Sequence, residues 1–363
     1  EPSRRQRQMC IRDRYNIIGH YNFTLIFILE RSIDYLNNHQ YEVESALRNY
    51  GVVAIRGYEV KTIEQFQQVG LSIFPELRNQ YPGGAPRYKV AEYVWTASSV
   101  PSYQSICGHT ETSYLPSEQP SYILFFSPQV ARSGGETPII NLKSVLSYLP
   151  KQLQQKCSQT RLVTKFFWAS TQKKLFDVRS WKWPWFSSGK SWKIVFETED
   201  KALVEAQCSN AGRQTEWLAN DGLIVHYPMP IIGSHPITKE IAWTGWFPWF
   251  HIWGVCIDAW FAAKYQRKFR TWLVFLILFL ITFGQICLEK LIPERRKYRI
   301  LDVVFEDGSD LSFWDVYHIV KSYWKNTELF SWQEGDIVIL DNYRMGHGRL
   351  PFTGERKVYI AFS

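Results

Sequence analysis

Three potential metal ligands lie in two segments of the sequence that are more than 230 residues apart. His109 and Glu111 are separated by a single residue, whereas His347 lies close to the end of the 363-residue chain. In an extended strand the side chains of residues i and i+2 point to the same face, so His109 and Glu111 can bind one ion together. If His347 joins them from a distant strand, the fold must bring these two parts of the chain side by side.

The motifs around these residues are more specific than the residues alone, because a single His-x-Glu is a weak signal in a chain with eight His. Two imidazoles and one carboxylate on one face of a metal leave three positions open, which is typical of non-haem Fe(II) oxygenases. Gly-Gly-Glu-Thr-Pro stands at 134–138, Asp-Asn at 341–342 leads into His-Gly-Arg at 347–349, and Gly-Glu-Arg at 354–356 precedes a strand-like segment at 357–362.

The order and spacing of these motifs resemble those of the taurine dioxygenase and clavaminate synthase-like superfamily of Fe(II)/2-oxoglutarate oxygenases, nearest to the syringomycin-type aspartyl hydroxylases. The resemblance extends from about Tyr41 to Ser363 with one interruption. It implies that His109, Glu111 and His347 bind Fe(2+) and that 2-oxoglutarate and O2 are cosubstrates. Related halogenases have a small residue in place of the carboxylate, so Glu111 favours hydroxylation or desaturation. The alternative interpretation is that His109, Glu111 and His347 are polar loop residues that form ordinary hydrogen bonds and bind no metal.

The resemblance also implies a binding site for the cosubstrate. Arg356 matches the arginine that binds the distal carboxylate of 2-oxoglutarate, and a planar guanidinium suits a carboxylate because it donates two parallel hydrogen bonds. Thr137 matches a residue whose hydroxyl contacts the same cosubstrate. The alternatives are a surface arginine on the last strand and a turn threonine before Pro138. Further candidates, for substrate contact or for support of the ligands, are Arg349, Asn342, Ser113, Tyr114 and Arg87.

Local patterns predict a mainly β fold with flanking helices, in the form of a double-stranded β-helix (jelly roll). Short apolar runs separated by Gly and Asp-Gly turns predict the strands, and helical patterns lie near the start of the chain. The predicted strands are 51–57, 121–126, 192–196, 303–305 and 337–340, and the predicted helices are 43–48, 62–74, 144–155 and 313–325, with a Trp-rich insert at 166–186 that covers the mouth of the barrel.

The domain organisation is predicted to be simple. Residues 1–28 are interpreted as a non-native or disordered tail, because the Arg-rich start fits neither helix nor strand periodicity. Residues 29–363 then form a single oxygenase domain with a suspect insertion at about 250–298. A basic targeting sequence is the alternative for the tail, but no cleavage pattern follows it.

The suspect insertion contains an apolar run at 272–288, which as a helix is about 26 Å long and just sufficient to cross a bilayer. A single crossing would put His109 and Glu111 on one side of the membrane and His347 on the other, so they could not share a metal. We therefore do not expect membrane binding. An unspliced intron or a gene-model error is the preferred explanation, a buried or interfacial helix the second, and a true span the third.

Composition and charge limit the kinds of partner that we expect the chain to bind. The positive charge is concentrated in the tail and around the apolar run, so the body has no basic face and no nucleic-acid partner is expected. Six Cys without a CxxC pair favour a reducing, cytoplasmic setting. The expected substrate is a small amino acid or carboxylate-bearing metabolite, free or carrier-tethered, and the oligomeric state is left open.

Two rival functions remain at this point. One is a carnitine-pathway-type hydroxylase of trimethylated substrates, a group that usually has Asp where this chain has Glu111. The other is a non-catalytic, membrane-anchored relative with a vestigial metal site.

Overall fold

The structure is a computed structural model of the chain and describes residues 15–19, 24–28, 40–57, 60–81, 87–98, 100–171, 191–244 and 248–363. Within these ranges the strands are β1 Tyr15–Gly19, β2 Thr24–Ile28, β3 Val52–Ile55, β4 Lys89–Ala91, β5 Val94–Thr96, β6 Ile106–His109, β7 Tyr122–Gln129, β8 Ser133–Gly134, β9 Thr137–Asn141, β10 Arg161–Trp168, β11 Gln214–Trp217, β12 Leu223–Pro230, β13 Ile232–Ser234, β14 Ile241–Trp243, β15 Leu301–Phe305, β16 Thr327–Phe330, β17 Asp336–Asp341, β18 Met345–Arg349, β19 Phe352–Thr353 and β20 Lys357–Phe362. The α-helices are α1 Gln40–Tyr50, α2 Ile63–Ile73, α3 Leu142–Val145, α4 Lys151–Gln159, α5 Trp192–Val195, α6 Lys201–Asn210, α7 Ile252–Gln266, α8 Phe269–Leu291 and α9 Phe313–Lys325.

Three larger sheets organise these strands. The largest has eight strands in the order β1-β2-β3-β17-β7-β20-β5-β4, and two four-stranded sheets have the orders β16-β9-β18-β6 and β11-β12-β10-β15. Most neighbouring strands are antiparallel, with β2 and β3 as a parallel pair. The described residues therefore form a sheet-rich fold with helices, in agreement with the coarse outline of the predicted class.

The centre of the largest sheet is buried on both faces, because the side chains of its central strands alternate between two cores. In β17, Val338 and Leu340 share a core with Ile139 of β9, so this face lies against the sheet that contains β18. Ile337 and Ile339 face the other way and pack with residues of α1 and α2. This period of two is the strand geometry expected for a sheet covered on both sides, and it confirms the predicted strand at 337–340.

Two predicted helices are confirmed, and each begins with a capping box. The hydroxyl of Thr62 accepts from the backbone N–H of Gln65 at 3.2 Å, and the Gln65 side chain accepts from the Thr62 backbone, so α2 begins with a capping box. Ser312 and Asp315 form the same reciprocal pair at the start of α9. These residues satisfy backbone N–H groups that have no partner within the helix.

Two other predicted elements are wrong. The helix predicted at 144–155 is divided into α3, a 3-10 turn and α4, because Leu149 is extended (ψ 150°) immediately before Pro150, as proline requires of its predecessor. The strand predicted at 192–196 is the single helical turn α5. Trp192 is buried there and its indole donates to the Asp221 carbonyl at 3.0 Å, whereas Ile194 is half exposed. The short apolar run indicated a strand, but the burial of Trp192 decides the conformation.

Part of the segment that was interpreted as a tail belongs to the largest sheet. Strands β1 and β2 pair with each other, and β2 pairs in parallel with β3. This differs from a wholly disordered 1–28, and the reason is the β-branched and aromatic composition of 24–28, which suits a strand. Residues 1–14 and most of the Trp-rich insert at 166–186 lie outside the described residues.

Helices α7 and α8 form a hairpin within the segment at 250–298. α7 is part of the core: the Asp258 carboxylate accepts from the Ser105 hydroxyl at 2.6 Å and from the Trp324 indole at 3.1 Å. At Gly254 an added Cβ would lie 1.7 Å from the backbone oxygen of Pro248. This part of the suspect segment is therefore packed as closely as the rest of the body.

We expect Gly254→Ala to lower the free energy of unfolding by about 1–3 kcal/mol, the usual cost of overpacking a closed site. The control is Gly284→Ala on α8, where an added Cβ meets nothing within 4 Å. That change should raise stability by up to about 1 kcal/mol, since alanine favours a helix interior over glycine. Urea unfolding measures both. Equal effects would contradict close packing of α7 against the body.

Candidate active site

Two antiparallel strands bring the two imidazoles together. β6 ends at His109, and β18 places His347 directly opposite it. The ring centroids are 4.4 Å apart and the ring planes are inclined by 46°. On its other side β18 pairs with β9, where Ile139 is the partner of His347. The early and late segments therefore meet, as a shared site requires.

Glu111 lies in a turn after β6, and not in an extended strand as the sequence analysis predicted. Thr112 has φ 54°, in the left-handed region, so the chain leaves the sheet directly after the carboxylate. The Asn342 side chain holds this turn: its oxygen accepts from the Glu111 backbone N–H at 2.9 Å and its amide donates to the Glu111 carbonyl at 3.0 Å. The buried Asn342, rather than strand alternation, thus places the carboxylate beside the imidazoles.

One donor atom from each of His109, Glu111 and His347 lies within 4.8 Å of the other two. Nε2 of His347 is 4.0 Å from Oε2 of Glu111. Nδ1 of His109 lies 2.9 Å from the Cys107 carbonyl, to which it donates in the tautomer that leaves a lone pair on Nε2. The Phe125 ring packs edge-on against His347 at 5.0 Å and closes one side of the cluster with an apolar wall.

The protonation states of the cluster suit a divalent metal. Burial lowers the pKa of His109, and burial followed by the neighbouring His109 lowers the pKa of His347 well below its usual value. Burial alone would raise the pKa of Glu111, but the Arg87 guanidinium and His109 outweigh it and the pKa is lowered. Two neutral imidazoles and one carboxylate are therefore present at neutral pH, which is the state in which these groups bind a metal. This donor set fits Fe(II).

Tyr81 and Arg87 fix the orientation of the Glu111 carboxylate. The Tyr81 hydroxyl donates to Oε1 at 2.7 Å, and Nη2 of Arg87 donates to Oε2 at 2.7 Å. Burial raises the pKa of Tyr81 well above its usual value, so the hydroxyl stays a donor. Each carboxylate oxygen keeps a second lone pair for a metal. The sequence analysis missed Tyr81 and left Arg87 open between substrate contact and support of the ligands, because neither lies in a motif that indicates a carboxylate partner.

We expect Tyr81→Phe to weaken divalent-metal binding by about 10- to 100-fold, the usual cost of removing a hydrogen bond that orients a ligand. The ring should keep its stacking on Phe362, whose centroid is 5.4 Å away, so the fold is preserved. Calorimetric titration with Mn(II), an air-stable substitute for Fe(II), measures the change. Tyr88→Phe is the control, since Tyr88 is exposed. Equal affinities in the two variants would contradict a role of Tyr81 in holding Glu111.

Arg356 presents a guanidinium that has neither a hydrogen bond nor an ion pair in the described part of the chain. Burial lowers its pKa to about 10, although the Glu136 carboxylate acts in the opposite direction. The side chain runs over Gly135, where an added Cβ would lie 3.2 Å from Nε of Arg356. The Gly-Gly turn of the 134–138 motif therefore makes room for this arginine.

Arg349 lies near Arg356 but serves a different purpose. Its guanidinium donates to the carbonyls of Val100, Pro101 and Gln104 at 2.9, 2.7 and 2.9 Å. Burial, and then the charge of Arg356, lowers the pKa of Arg349 to about 9. Arg349 therefore supports the loop that leads into β6, and the two nearby cations make a region favourable to an anion.

Thr137 and Ser113 are buried, and Tyr114 is partly buried. The Thr137 hydroxyl accepts from the Trp332 indole at 2.9 Å, a contact that the sequence analysis missed because Trp332 belongs to no motif. Ser113 lies in the turn that follows Glu111. The Tyr114 ring packs edge-on against Tyr227 and Phe250, at 6.2 and 6.1 Å, in an aromatic cluster beside the turn.

The sequence of the chain is similar to proteins of known families. The model of the family described as "Taurine catabolism dioxygenase TauD, TfdA family" matches residues 26–239 and 314–361. The dapdiamide synthesis protein DdaC of Enterobacter agglomerans is 28% identical over 334 residues, which cover 92% of this chain and 87% of that protein. A clavaminate synthase-like protein of Arabidopsis thaliana is 25% identical over 325 residues, which cover 89% of this chain and 84% of that protein.

Solved structures share the fold at low sequence identity. A crystal structure described as an alpha-ketoglutarate-dependent taurine dioxygenase from Burkholderia xenovorans aligns with a TM-score of 0.50 at 14% identity, covering 96% of this chain and 92% of that one. The PvcB protein from Pseudomonas aeruginosa aligns with a TM-score of 0.51 at 10% identity, covering 96% and 91%.

Proposed function

The chain belongs to the TauD and TfdA family of taurine catabolism dioxygenases and is a 2-oxoglutarate-dependent oxygenase that uses Fe(II) and O2, and we propose that it hydroxylates an unactivated C–H bond of a small amino acid or carboxylate-bearing metabolite. We assign metal binding to His109, Glu111 and His347. The observation that carries this assignment is the convergence of their three donor atoms within 4.8 Å.

The protein's residues hold and orient the reacting groups. When bound, Fe(II) with 2-oxoglutarate supplies the activation of O2, one atom of which enters the substrate while the other enters succinate as CO2 leaves. His109 and His347 would provide neutral nitrogen ligands and Glu111 a charged oxygen ligand. Tyr81 and Arg87 keep that carboxylate in one orientation through bonds of 2.7 Å.

Arg356 is proposed to bind the distal carboxylate of 2-oxoglutarate. This proposal is supported by the burial of the Arg356 guanidinium, which forms no ion pair among the described residues. A buried cation without a counter-ion destabilises the fold, and the carboxylate of a bound ligand would supply that counter-ion. The hydroxyl of Thr137 is proposed as a second contact, because it can donate to a carboxylate while it accepts from Trp332.

Each of the remaining candidate residues is proposed either to support the metal site or to line the substrate pocket. Asn342 and Arg349 support the site, the first through the backbone of Glu111 and the second through three loop carbonyls. Of the two roles that the sequence left open for Arg87, support of the ligands is proposed, because its guanidinium holds the Glu111 carboxylate. Ser113 and Tyr114 stay proposed as residues that line the substrate pocket.

We assign the two facing sheets to a double-stranded β-helix within one oxygenase domain, 29–363, to whose largest sheet the preceding segment adds β1 and β2. Support comes from the shared core between the eight-stranded sheet and the sheet of β18, and from the similarity to the taurine dioxygenase structure. The family model leaves 240–313 unmatched, which supports an insertion in this region. The described cysteines are all free, in agreement with the proposed reducing, cytoplasmic setting.

The proposal is tested by assaying the purified, Fe(II)-loaded protein with 2-oxoglutarate and a panel of amino acids and small carboxylates, and by mass spectrometry of the products. We expect one substrate class to accelerate succinate formation and to gain one oxygen atom. Trimethylated amines in the same panel test the carnitine-type alternative. Succinate formation that no substrate stimulates, with no oxygenated product, would contradict the proposed substrate class.

A further inference from the structure

Helix α8 exposes a long apolar face to solvent. Among the described residues it is the one helix that is long and apolar enough, by length and composition, to cross a membrane. Only Thr271, Leu278 and Thr282 of its 23 residues are buried. One stripe of the exposed face, at helical spacings of three and four, consists of Leu276, Leu280, Phe283, Cys287 and Leu291.

The amino-terminal end of α8 is tied to the body of the protein. Just before it, the side-chain amide of Gln266 donates to the Pro351 carbonyl at 2.9 Å. The Lys268 ammonium donates to the Ser133 hydroxyl at 2.6 Å. Pro351 lies two residues after the end of β18, so this end of the helix is anchored beside the strand that carries His347.

The carboxyl-terminal end is tied to the same body. Glu289 forms a buried ion pair with Arg299, whose guanidinium also donates to Asp302 at 2.8 Å. Asp302 belongs to β15. Since both ends contact one folded body, the helix cannot cross a bilayer while this fold is intact. It lies instead along the surface over about 35 Å.

The inner face of α8 packs on the edge of the candidate active site. Phe275 and Leu278 belong to a core cluster with Val100, Ile106 and Cys107. The last two lie in β6, the strand that ends at His109. The helix therefore has one face in the body and its opposite, apolar face open.

Exposed cations and the indole ring of Trp272 border this open face. Arg267 and Arg270 are exposed at one end, and Lys290 and Arg295 at the other. Trp272 on the helix is 39% exposed. Apolar surface, flanking cations and tryptophan at the boundary are together the features of a helix that lies in the interface of a bilayer.

A second copy of the chain fits this face less well. Two copies that pack along α8, parallel or antiparallel, would bring basic ends together at both ends of the contact, and like charges across an interface are unfavourable. An anionic lipid surface instead neutralises both ends while it takes up the apolar stripe. We propose that the outer face of α8 binds the surface of an anionic lipid bilayer, with the helix in the plane of the membrane. This revises the expectation of no membrane contact, which was argued from a crossing that would separate the three ligands.

The test is flotation of the purified full chain with vesicles of phosphatidylcholine and phosphatidylserine, beside vesicles of phosphatidylcholine alone. We expect binding to the anionic vesicles that falls about fivefold for each cation removed in Arg270→Gln and Arg295→Gln. Leu280→Glu/Phe283→Glu should abolish it. The control pair, Ile194→Glu/Leu203→Glu, introduces the same charges at exposed apolar positions outside α8 and should bind like the parent.

A second readout reports the position of the helix directly. An environment-sensitive fluorophore on Cys287, in a Cys10→Ser background, should shift its emission to the blue when anionic vesicles are added. Absence of vesicle binding, equal loss in the two double variants, or an unshifted emission overturns the proposal. Light scattering that shows a dimer, which only Leu280→Glu/Phe283→Glu dissociates, would identify a second copy as the occupant instead.

Discussion

His347→Ala should lower the affinity for Mn(II) by more than about 100-fold, the upper limit for loss of a supporting contact, and reduce 2-oxoglutarate turnover to background. The reason is geometric. The His347 ring is held between β6 and β9 and its Nε2 faces Glu111 at 4.0 Å, so its removal takes away one of three protein donors. Titration calorimetry for metal and a succinate assay for turnover measure the two effects.

His318→Ala is the matched control, because His318 lies on α9 and takes no part in the three-donor cluster. It should bind metal and turn over like the parent. His347→Gln, which preserves more of the side-chain volume, separates loss of a ligand from loss of packing. Full metal affinity in a folded His347→Gln protein would contradict the assignment of His347 as a ligand.

Arg356→Gln should raise the KM for 2-oxoglutarate by about 100-fold and leave metal affinity unchanged. A charge-assisted hydrogen bond contributes about 1.5–3 kcal/mol, and a bidentate pair of guanidinium and carboxylate is at the upper end. The substitution removes the charge from a site where burial already lowers the pKa of the guanidinium to about 10. Steady-state kinetics with varied 2-oxoglutarate, together with Mn(II) titration, measure the two quantities.

Lys357→Gln removes one positive charge from the next position of the chain, where the side chain is exposed, and should leave the KM for 2-oxoglutarate unchanged. Arg356→Lys should recover part of the loss, because a lysine keeps the charge but not the planar pair of donors. A KM in Arg356→Gln that equals that of the control would contradict the role of Arg356 as the carboxylate clamp.

The outline of the candidate site could be predicted from sequence because its residues stand in short motifs with distinctive spacing. The contacts that hold these residues in place could not be predicted. The sequence analysis explained the shared face of His109 and Glu111 by strand alternation. In the structure, however, the carboxylate is placed by a turn at Thr112 and by the side chain of Asn342, 231 residues away. Long-range hydrogen bonds of this kind leave no local pattern. Tyr81 was missed for the same reason.

The fold was predictable where local signals agree with one another. Capping boxes at Thr62 and Ser312 mark helices that begin where the sequence indicates. Prediction failed at 192–196, where tertiary burial of Trp192 overrides the strand preference of a short apolar run. It was incomplete for 272–288, because hydropathy identifies a helix able to enter a membrane but not whether its two ends return to the same body.

The most direct test of the metal site is an anaerobic titration of the purified chain, first with Fe(II) and then with 2-oxoglutarate, followed by visible absorption. We predict the weak charge-transfer band of 2-oxoglutarate chelated to iron, lost in His109→Ala and weakened in Arg356→Ala. A folded protein that binds neither Fe(II) nor 2-oxoglutarate, and that shows no band, would contradict the assignment of His109, Glu111 and His347 as the metal site.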